Sequence, residues 1–378
     1  MMFGRDPAAK SSREESAPVS AAALERSVRL EKVCTDWLLS NQHTESDIRV
    51  ACVSSAAARG AGPTCGVSSD RLNFHSMLRR SFVAGAAGLL VAQRALPQTA
   101  QPLFSFGLLA DVQYADKDAK GVRAYRESLT KLEHCAANLR KERLEFVIQV
   151  GDLVDDGLEN FDAILRVLRK VGAPQRHVLG NHDFCAPREV VLQRLGMTEA
   201  YYHFAARGWR FVVLDGMNVS VSGGWSESHA LSLAGREMLE RLRSAGARNA
   251  QAWNGAVGPQ QREWLKQTLA EATKRSERAI VFCHFPVLTE SCRPEHLLWD
   301  HGDVLKIIES EPSVVAYING HDHQGGYAVK NGIHYLTLPG MVEHHAASSC
   351  RVMDVYPERL VLRTIEDRGS QVLPIRPR

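Results

Sequence analysis

Apolar runs of strand length recur from residue 103 onward, and several of them end in polar residues of the same few types. The first, LFSFGLLAD, ends at Asp111, and later runs end in Gly-Asp, Gly-Asn-His-Asp, His and Gly-His-Asp-His. Amphipathic helical segments lie between several of the runs, at 122–142, 160–171, 259–275 and 303–310. This alternation predicts an α/β fold in which helices cover largely buried sheets.

The polar residues at the strand ends are of types that bind metal ions. They are Asp111, Gln113, Asp152, Asn181, His284, His321 and His323. In open α/β sheets, ligands bind beyond the carboxyl ends of the strands, so residues far apart in sequence meet there. Taken singly, each motif is equally consistent with a turn, because Gly-Asp and Gly-Asn are common turn sequences. Their joint occurrence favours a dinuclear metal site in which one carboxylate bridges two ions.

The order of the motifs, D-x-Q, G-D-x-x-D, G-N-H-D, H and G-H-x-H, resembles the calcineurin-like metallophosphoesterase superfamily. The usual first motif of that superfamily is D-x-H, and the D-x-Q of this chain, with Gln113, is similar to the branch of manganese-dependent ADP-ribose/CDP-alcohol diphosphatases. The segments NGAVGPQQREWL, GHDHQGGY and YLTLPGMVE are similar to the same branch. The resemblance covers roughly residues 104–366.

The resemblance implies an α/β fold of four layers, an αββα sandwich, with a dinuclear metal site at the carboxyl ends of the strands. It also implies which residues hold which ion. One ion would be bound by Asp111, Gln113, Asp152 and His323, and the other by Asp152, Asn181, His284 and His321. Asp152 would then bridge the two ions.

The cofactor implied is a pair of divalent cations. The amide oxygen of Gln113 is a harder donor than an imidazole, which favours Mn²⁺ or Mg²⁺ over Zn²⁺. We therefore expect Mn²⁺, with Fe, Mg²⁺ and Zn²⁺ as alternatives.

The activity implied is hydrolysis of the phosphoanhydride bond in nucleoside diphosphate-linked compounds such as ADP-ribose and CDP-alcohols, by attack of a hydroxide held between the ions. His182 would stabilise the transition state or protonate the leaving oxygen. Asp183 is either its orienting partner or a surface turn residue, and Asp155 and Asp322 are either neighbours of the ligands or turn residues.

Two alternatives to this activity stay open. One is a general phosphodiesterase or phosphomonoesterase of the same superfamily. The other is a binding module that keeps the fold without catalysis, which the complete ligand set and His182 argue against.

Substrate contacts are predicted beside the first and fifth strands. Arg123, Tyr125 and Arg126 follow the first strand and could bind a phosphate, although the polar pattern favours a solvated helix face. Cys292 lies in the loop after His284, as a substrate-side residue or as an ordinary loop thiol.

A Gly-rich insertion at 217–258 has no counterpart in a minimal sandwich, and we predict that it is lid-like. Its Trp225 and Trp253 could stack on a nucleobase or fill a small local core. His344 and His345 follow the GMVE segment, and the resemblance assigns them no role.

The chain divides into three parts by composition. Residues 1–76 form a low-order leader, which is a mis-called extension if translation starts at Met77. Residues 77–100 resemble a secretory signal with a twin arginine, Arg79-Arg80, which predicts export to the periplasm or beyond. The alternative is a polar leader and an ordinary amphipathic helix in a cytoplasmic protein. Residues 101–378 are the predicted catalytic domain, and its odd count of five cysteines does not imply a disulfide framework.

The composition limits the partners. The net charge is +3, and no block of Lys and Arg reaches the length typical of nucleic-acid or polybasic membrane contacts. The apolar stretch of the signal-like segment is too short to span a bilayer, so no stable membrane insertion is expected. The expected partner is a small nucleotide-type phosphate, and no nucleic acid.

Overall fold

A computed structural model describes residues 101–366 and 369–377. The predicted leader at 1–76 and the signal-like segment at 77–100 lie outside the described residues. Within the described part, none of the helices combines the length and the apolar composition that crossing a bilayer requires.

The described residues form two mixed sheets. The strands of the first are β1 Phe104–Leu109, β2 Leu144–Val150, β3 Gln175–Val178, β10 Arg351–Val355, β11 Arg359–Thr364 and β12 Ser370–Pro374. They lie in the order β12-β11-β10-β1-β2-β3, with β1, β2 and β3 parallel and the others antiparallel. All three predicted strands of this sheet are confirmed.

The second sheet contains the other predicted strands. Its members are β4 Tyr202–Ala206, β5 Trp209–Val213, β6 Arg278–Phe282, β7 Val314–Asn319, β8 Gly326–Lys330 and β9 Ile333–Thr337. Their order is β4-β5-β6-β7-β9-β8, with four parallel strands in the middle and the antiparallel β4 and β8 at the edges. The middle strands are buried on both faces, as their continuous apolar sequences predict.

Seven α-helices accompany the sheets in the described residues. They are α1 Glu127–Leu139, α2 Asn160–Arg169, α3 Arg188–Leu195, α4 Ala230–Ser244, α5 Pro259–Lys274, α6 His301–Ser310 and α7 Ala346–Ser349. In α2, Phe161, Ile164, Leu165 and Leu168 recur at helical spacing and are buried. α5 begins with Pro259 directly after Gly258, a position where proline loses no hydrogen bond.

The two sheets pack face to face through aromatic side chains. Phe106 of the first sheet stacks on Phe146 with ring centroids 4.8 Å apart, and it meets the edge of Phe211 of the second sheet at 5.7 Å. Two further apolar clusters lie between the sheets and the helices, with Leu132 of α1 on one side and Leu265 of α5 on the other. The predicted four-layer sandwich is therefore confirmed.

The first helix is shorter than predicted. The expected helix at 122–142 forms only over Glu127–Leu139. Before it, Lys120 and Arg123 exchange backbone hydrogen bonds of 3.0 and 3.1 Å, which closes a tight turn and prevents helical pairing. Tyr125 is buried at the end of this turn.

The insertion at 217–258 contains α4 and is attached to the domain at its base. The side chain of Arg188 donates to the carbonyl oxygens of Met217 and Gly223, each at 2.9 Å, and pairs with the buried Asp215. Breaking such a buried pair by removing one partner typically costs about 3–5 kcal/mol.

Trp225 packs inside the insertion. Its ring lies against His229, with centroids 4.2 Å apart, and the guanidinium of Arg188 lies 4.4 Å from its centroid. The indole nitrogen donates to the carbonyl of Asn218 at 2.9 Å. These contacts place Trp225 in a small local core, the alternative to base stacking. Trp253 is half-buried.

A disulfide joins two elements that are distant in sequence. Cys135 of α1 is bonded to Cys350, which directly follows α7, across a sequence separation of 215. Cys185, Cys283 and Cys292 are free. The odd number of cysteines gives no sign of this bond, because one pair forms while three thiols stay free.

We expect the disulfide to stabilise the domain. A Cys135→Ser/Cys350→Ser variant should lose about 2–4 kcal/mol of unfolding free energy, because the long loop then gains freedom in the unfolded chain. Guanidinium denaturation under non-reducing conditions measures this, with Cys185→Ser as the control that removes an exposed free thiol. Equal midpoints for the wild type and the double variant would contradict the expectation.

Candidate metal centre

The candidate ligands lie where the chain leaves its strands in an uncommon conformation. Asp111 and Gln113 follow β1, Asp152 follows β2 and His321 follows β7, with φ angles of 51°, 43°, 55° and 68°. Non-glycine residues rarely adopt this left-handed conformation, and each such residue costs of order 1–3 kcal/mol. Such strain clusters at functional sites, where it directs side chains that a relaxed turn would point elsewhere.

Two buried carboxylates lie at the middle of this group. Oδ2 of Asp152 is 3.2 Å from Nε2 of His284, and Oδ1 of Asp111 is 3.3 Å from Nε2 of His323. Nε2 of His284 is also 3.9 Å from Asp111, so His284 lies beside both acids. Ligand atoms of Asp152, His284 and His321 all lie within 4.8 Å of one another. The strand ends therefore converge as the sequence predicts.

Each of the three histidines holds its outward nitrogen against a protein acceptor. Nδ1 of His284 is 2.8 Å from the carbonyl oxygen of the last residue of β2, Nδ1 of His323 is 2.8 Å from Glu343, and Nε2 of His321 is 2.8 Å from Oδ1 of Asn254. The other nitrogen of each ring faces inward, where its lone pair is available to a metal ion once that nitrogen is unprotonated. Metal-ligating histidines characteristically show this arrangement.

Two amide side chains also fit a metal centre. Oδ1 of Asn181 and Oε1 of Gln113 are buried and have no hydrogen-bond partner among the described residues. A buried polar atom without a partner is costly and calls for an explanation such as a cation. The nitrogen of the Gln113 amide faces Asp152 at 3.0 Å and His323 at 3.1 Å, so ligation through its oxygen requires a half-turn of the amide.

The electrostatics of the group favour positive charge. Burial lowers the pKa of His284, but the charges of Asp152 and Asp111 outweigh this effect and raise the pKa to about 9. Burial likewise lowers the pKa of His323, and Asp111 and Glu343 raise it to about 9. Burial and the neighbouring His284 instead lower the pKa of His321. The carboxylates that favour positive charge on His284 and His323 would also attract divalent cations.

Glycines allow the ligands to approach the strand ends. A Cβ on Gly151, which has φ +92°, would come within 2.3 Å of Nδ1 of His284. A Cβ on Gly180 would come within 2.1 Å of Oδ1 of Asp152. The glycines of the G-D and G-N-H-D motifs are therefore needed because ligand side chains lie directly against the backbone.

The family model of calcineurin-like phosphoesterases matches residues 104–325, which contain all of these ligands. The chain belongs to the calcineurin-like phosphoesterase family. As a member of this family, it is a hydrolase.

Related proteins cover most of the described domain. A manganese-dependent ADP-ribose/CDP-alcohol diphosphatase of Arabidopsis thaliana is 34% identical over 293 residues, which are 69% of this chain and 94% of the relative. One from Xenopus laevis is 30% identical over 322 residues, 71% of this chain and 90% of the relative. The crystal structure of a dimetal phosphatase from Danio rerio superimposes with a TM-score of 0.67 at 28% identity, covering 73% of this chain and 100% of that one.

In this phosphoesterase, the candidate catalytic residue His182 lies beside Asp155. Its Nδ1 is 3.0 Å from Oδ1 of Asp155, and Lys117 forms a short ion pair with the same carboxylate. Burial works against ionisation of Asp155, but His182 and Lys117 lower its pKa to about 2. Asp155 is therefore the partner of the His182 ring.

Asp183 has another role than the one expected. It is fully buried, and it accepts backbone hydrogen bonds from Gly180 at 2.8 Å, Asp152 at 3.0 Å and Leu153 at 2.8 Å. It is thus neither a surface turn residue nor the orienting partner of His182. Its carboxylate is hydrogen-bonded to the loop that carries Asp152 and to the loop that carries Asn181.

The structure places the predicted substrate residues Arg123, Tyr125 and Arg126 in different surroundings. Nε of Arg123 donates to Oε1 of Glu343 at 3.2 Å, and the same oxygen lies 2.8 Å from Nδ1 of His323. Tyr125 is buried beneath the ammonium group of Lys117, 4.4 Å from its ring centroid. Arg126 instead pairs with acids on the surface.

Arg126 and Cys292 offer little to a substrate in their observed contacts. The guanidinium of Arg126 is bonded to Asp116 at 2.7 Å and Asp118 at 2.9 Å, on an exposed turn. The thiol of Cys292 is 3.5 Å from the carbonyl of Leu288, and burial raises its pKa to about 12, so it stays protonated.

Other predicted residues support the loops around the centre. Asp322 accepts from the backbone and the guanidinium of Arg293, the latter at 2.6 Å. Nε2 of His344 is 2.9 Å from the carbonyl oxygen of His323, behind the metal-facing side of that residue. His345 directly precedes α7.

Proposed function

We propose that this phosphoesterase cleaves the phosphoanhydride bond of small nucleoside diphosphate-linked compounds, of which ADP-ribose and CDP-alcohols are examples. The observation that carries the proposal is the glutamine at the first motif, Gln113, within a buried cluster of carboxylates and imidazoles. The names of relatives that are 30–34% identical over most of the domain support the same substrates.

We propose that two divalent ions, Mn²⁺ in preference, occupy the centre. Asp111, Gln113, Asp152 and His323 would hold one, and Asp152, Asn181, His284 and His321 the other. The inward nitrogens of the histidines and the unpartnered Oδ1 of Asn181 support this assignment, and Gln113 would join after a half-turn of its amide. Bound ions of this kind polarise the phosphoryl group and activate water.

The residues around the centre would bind and position the substrate. Nδ1 of His182 lies against Asp155, 3.0 Å from its Oδ1 and 3.3 Å from its carbonyl oxygen, which leaves Nε2 to interact with the leaving oxygen or the charged phosphoryl group. Arg123 keeps part of its guanidinium free beyond the bond to Glu343, and its side chain is 37% exposed. We propose that it binds the non-reacting phosphate, because a guanidinium matches phosphate geometry.

We also propose that the enzyme acts outside the cytoplasm. The Cys135–Cys350 disulfide supports this location, because structural disulfides persist in oxidising compartments. Its substrates would then be nucleotide compounds present outside the cell membrane.

A substrate panel with Mn²⁺ tests the proposed activity. ADP-ribose and CDP-choline should be hydrolysed with kcat/KM at least about ten-fold above cyclic AMP and a chromogenic phosphate monoester, a difference of about 1.4 kcal/mol in transition-state binding. Asp152→Asn serves as the inactive control. Preferential cleavage of the monoester or of cyclic AMP would replace the proposal with a general phosphoesterase activity.

A further inference from the structure

We infer that Asn254, which the insertion at 217–258 contributes, is a positioning residue for the metal centre. Its side chain holds His321 so that Nδ1 faces the ions. This inference rests on the proposed metal-dependent function, and it gives the insertion a role in metal binding that is distinct from covering the substrate.

The orientation of the Asn254 amide follows from its partners. Nδ2 lies 2.8 Å from the carbonyl oxygen of Glu295 and 3.1 Å from that of Asn249. A carbonyl oxygen only accepts hydrogen bonds, so the amide nitrogen must face both of these atoms. Oδ1 is then the atom directed at His321, at a distance of 2.8 Å.

This orientation fixes the tautomer of the histidine. Because Oδ1 of Asn254 only accepts, Nε2 of His321 must carry a hydrogen. Nδ1 then has a free lone pair, and it lies 3.2 Å from Nε2 of His284 in the middle of the candidate centre. His321 therefore presents Nδ1, whereas His284 and His323 present Nε2.

The contact lies in a buried and well-anchored part of the structure. Asn254 is 0% exposed, so water does not compete for the bond to His321. Its backbone N–H donates to Gln251 at 3.1 Å, and the backbone of Trp299 donates to Gly255 at 2.8 Å. The indole nitrogen of Trp299 also donates to Gln251 at 3.2 Å. These bonds fix the backbone around Asn254, so its side-chain amide can orient the imidazole of His321.

Glu343 provides a comparison within the same centre. It holds Nδ1 of His323 as Asn254 holds Nε2 of His321, with the same separation of 2.8 Å. Removing such partners of ligating histidines typically weakens metal affinity by 10–100-fold. Asn254 differs in its source, because it comes from the insertion and not from a strand end of the sandwich.

Mn²⁺ titration of the full chain, followed by the EPR signal of the free ion, tests the inference. Asn254→Leu should raise the dissociation constant for Mn²⁺ by about 10–100-fold, and excess Mn²⁺ should restore most of its kcat. Asn254→Asp keeps an acceptor for Nε2–H but turns an oxygen towards the carbonyl oxygens of Asn249 and Glu295, so its affinity should fall, but less than that of Asn254→Leu. Asn218→Leu is the matched control, since it removes a side-chain bond to a backbone carbonyl in the same insertion.

The outcomes separate positioning from simple structural support. Equal losses of affinity in Asn254→Leu and Asn254→Asp would overturn the inference, because the bonds to Asn249 and Glu295 would then account for the effect. Unchanged affinity in a folded Asn254→Leu would overturn it too. If the wild-type protein bound no Mn²⁺, both the proposed function and this inference would fail. If the wild type binds Mn²⁺, the affinities of the variants test the role of Asn254 alone.

Discussion

Replacing Asp152 with asparagine should reduce kcat by roughly 10³-fold or more and remove most of the bound metal. Its two oxygens serve different neighbours, since Oδ2 lies 3.2 Å from His284 and Oδ1 accepts from the backbone of His182 at 2.9 Å. An asparagine offers one neutral oxygen in place of a buried charge. A 10³-fold decrease in kcat corresponds to a loss of about 4 kcal/mol in transition-state stabilisation, which the missing charge accounts for.

Metal analysis and steady-state kinetics on the purified protein measure both effects. Asp162→Asn is a suitable control, because that carboxylate is 57% exposed and pairs with Arg194 at 2.7 Å on the surface. Its activity and metal content should equal those of the wild type. Full metal occupancy in Asp152→Asn would show that Asp152 does not bridge, and our assignment of the centre would be wrong.

The meeting of the strand ends could be predicted because it depends on features that are local in sequence. Each motif directly follows an apolar run, and the carboxyl ends of parallel strands meet at one edge of a sheet. Asp111, Asp152 and His284 therefore lie together although they are far apart in the chain. The left-handed conformation of Asp111 and Asp152 is not visible in the sequence, since it depends on the surrounding fold.

The supporting residues were harder to predict because their partners come from elsewhere in the fold. Asp183 is next to His182 in sequence, yet its carboxylate accepts backbone N–H groups while Asp155 contacts the imidazole. Consecutive residues in a turn point in different directions, so adjacency is a poor guide to contact. Glu343 and Asn254 could be identified only from the tertiary structure, although both lie in segments that resemble the diphosphatase branch.

Of the five strands that the sequence did not indicate, β4, β8, β11 and β12 lie at or toward the edges of the sheets, whereas β10 lies beside β1 inside the first sheet. β4 and β8 alternate between half-buried and exposed residues, and β11 and β12 include exposed or half-buried polar positions. Their apolar signal is weaker than that of the central strands, because only one face packs on the core. The parallel central strands, buried on both faces, gave the stronger pattern. β10 is the exception, because most of it is buried but Arg351 and Asp354 interrupt its apolar sequence.

His182→Ala should lower kcat by roughly 10²-fold or more while both metal sites stay filled. The backbone N–H of residue 182 donates to Asp152, and alanine keeps this hydrogen bond. Asn181 is unchanged. The imidazole, held by Asp155, is lost, so the variant removes a proton donor or charge stabiliser without removing a ligand.

The dependence on the leaving group distinguishes the two roles of His182. A nucleoside monophosphate leaves from ADP-ribose through an oxygen of lower pKa than the alcohol oxygen that leaves from an alkyl phosphodiester. A general acid should therefore matter less for ADP-ribose, whereas a charge stabiliser should matter about equally for both substrates.

Asp155→Asn keeps the imidazole of His182 but weakens its orientation, so we expect a smaller loss of kcat with the same dependence on the substrate. Metal content measured beside kcat completes the test, because metal loss in step with activity would make His182 a ligand or a scaffold residue and not the catalytic group.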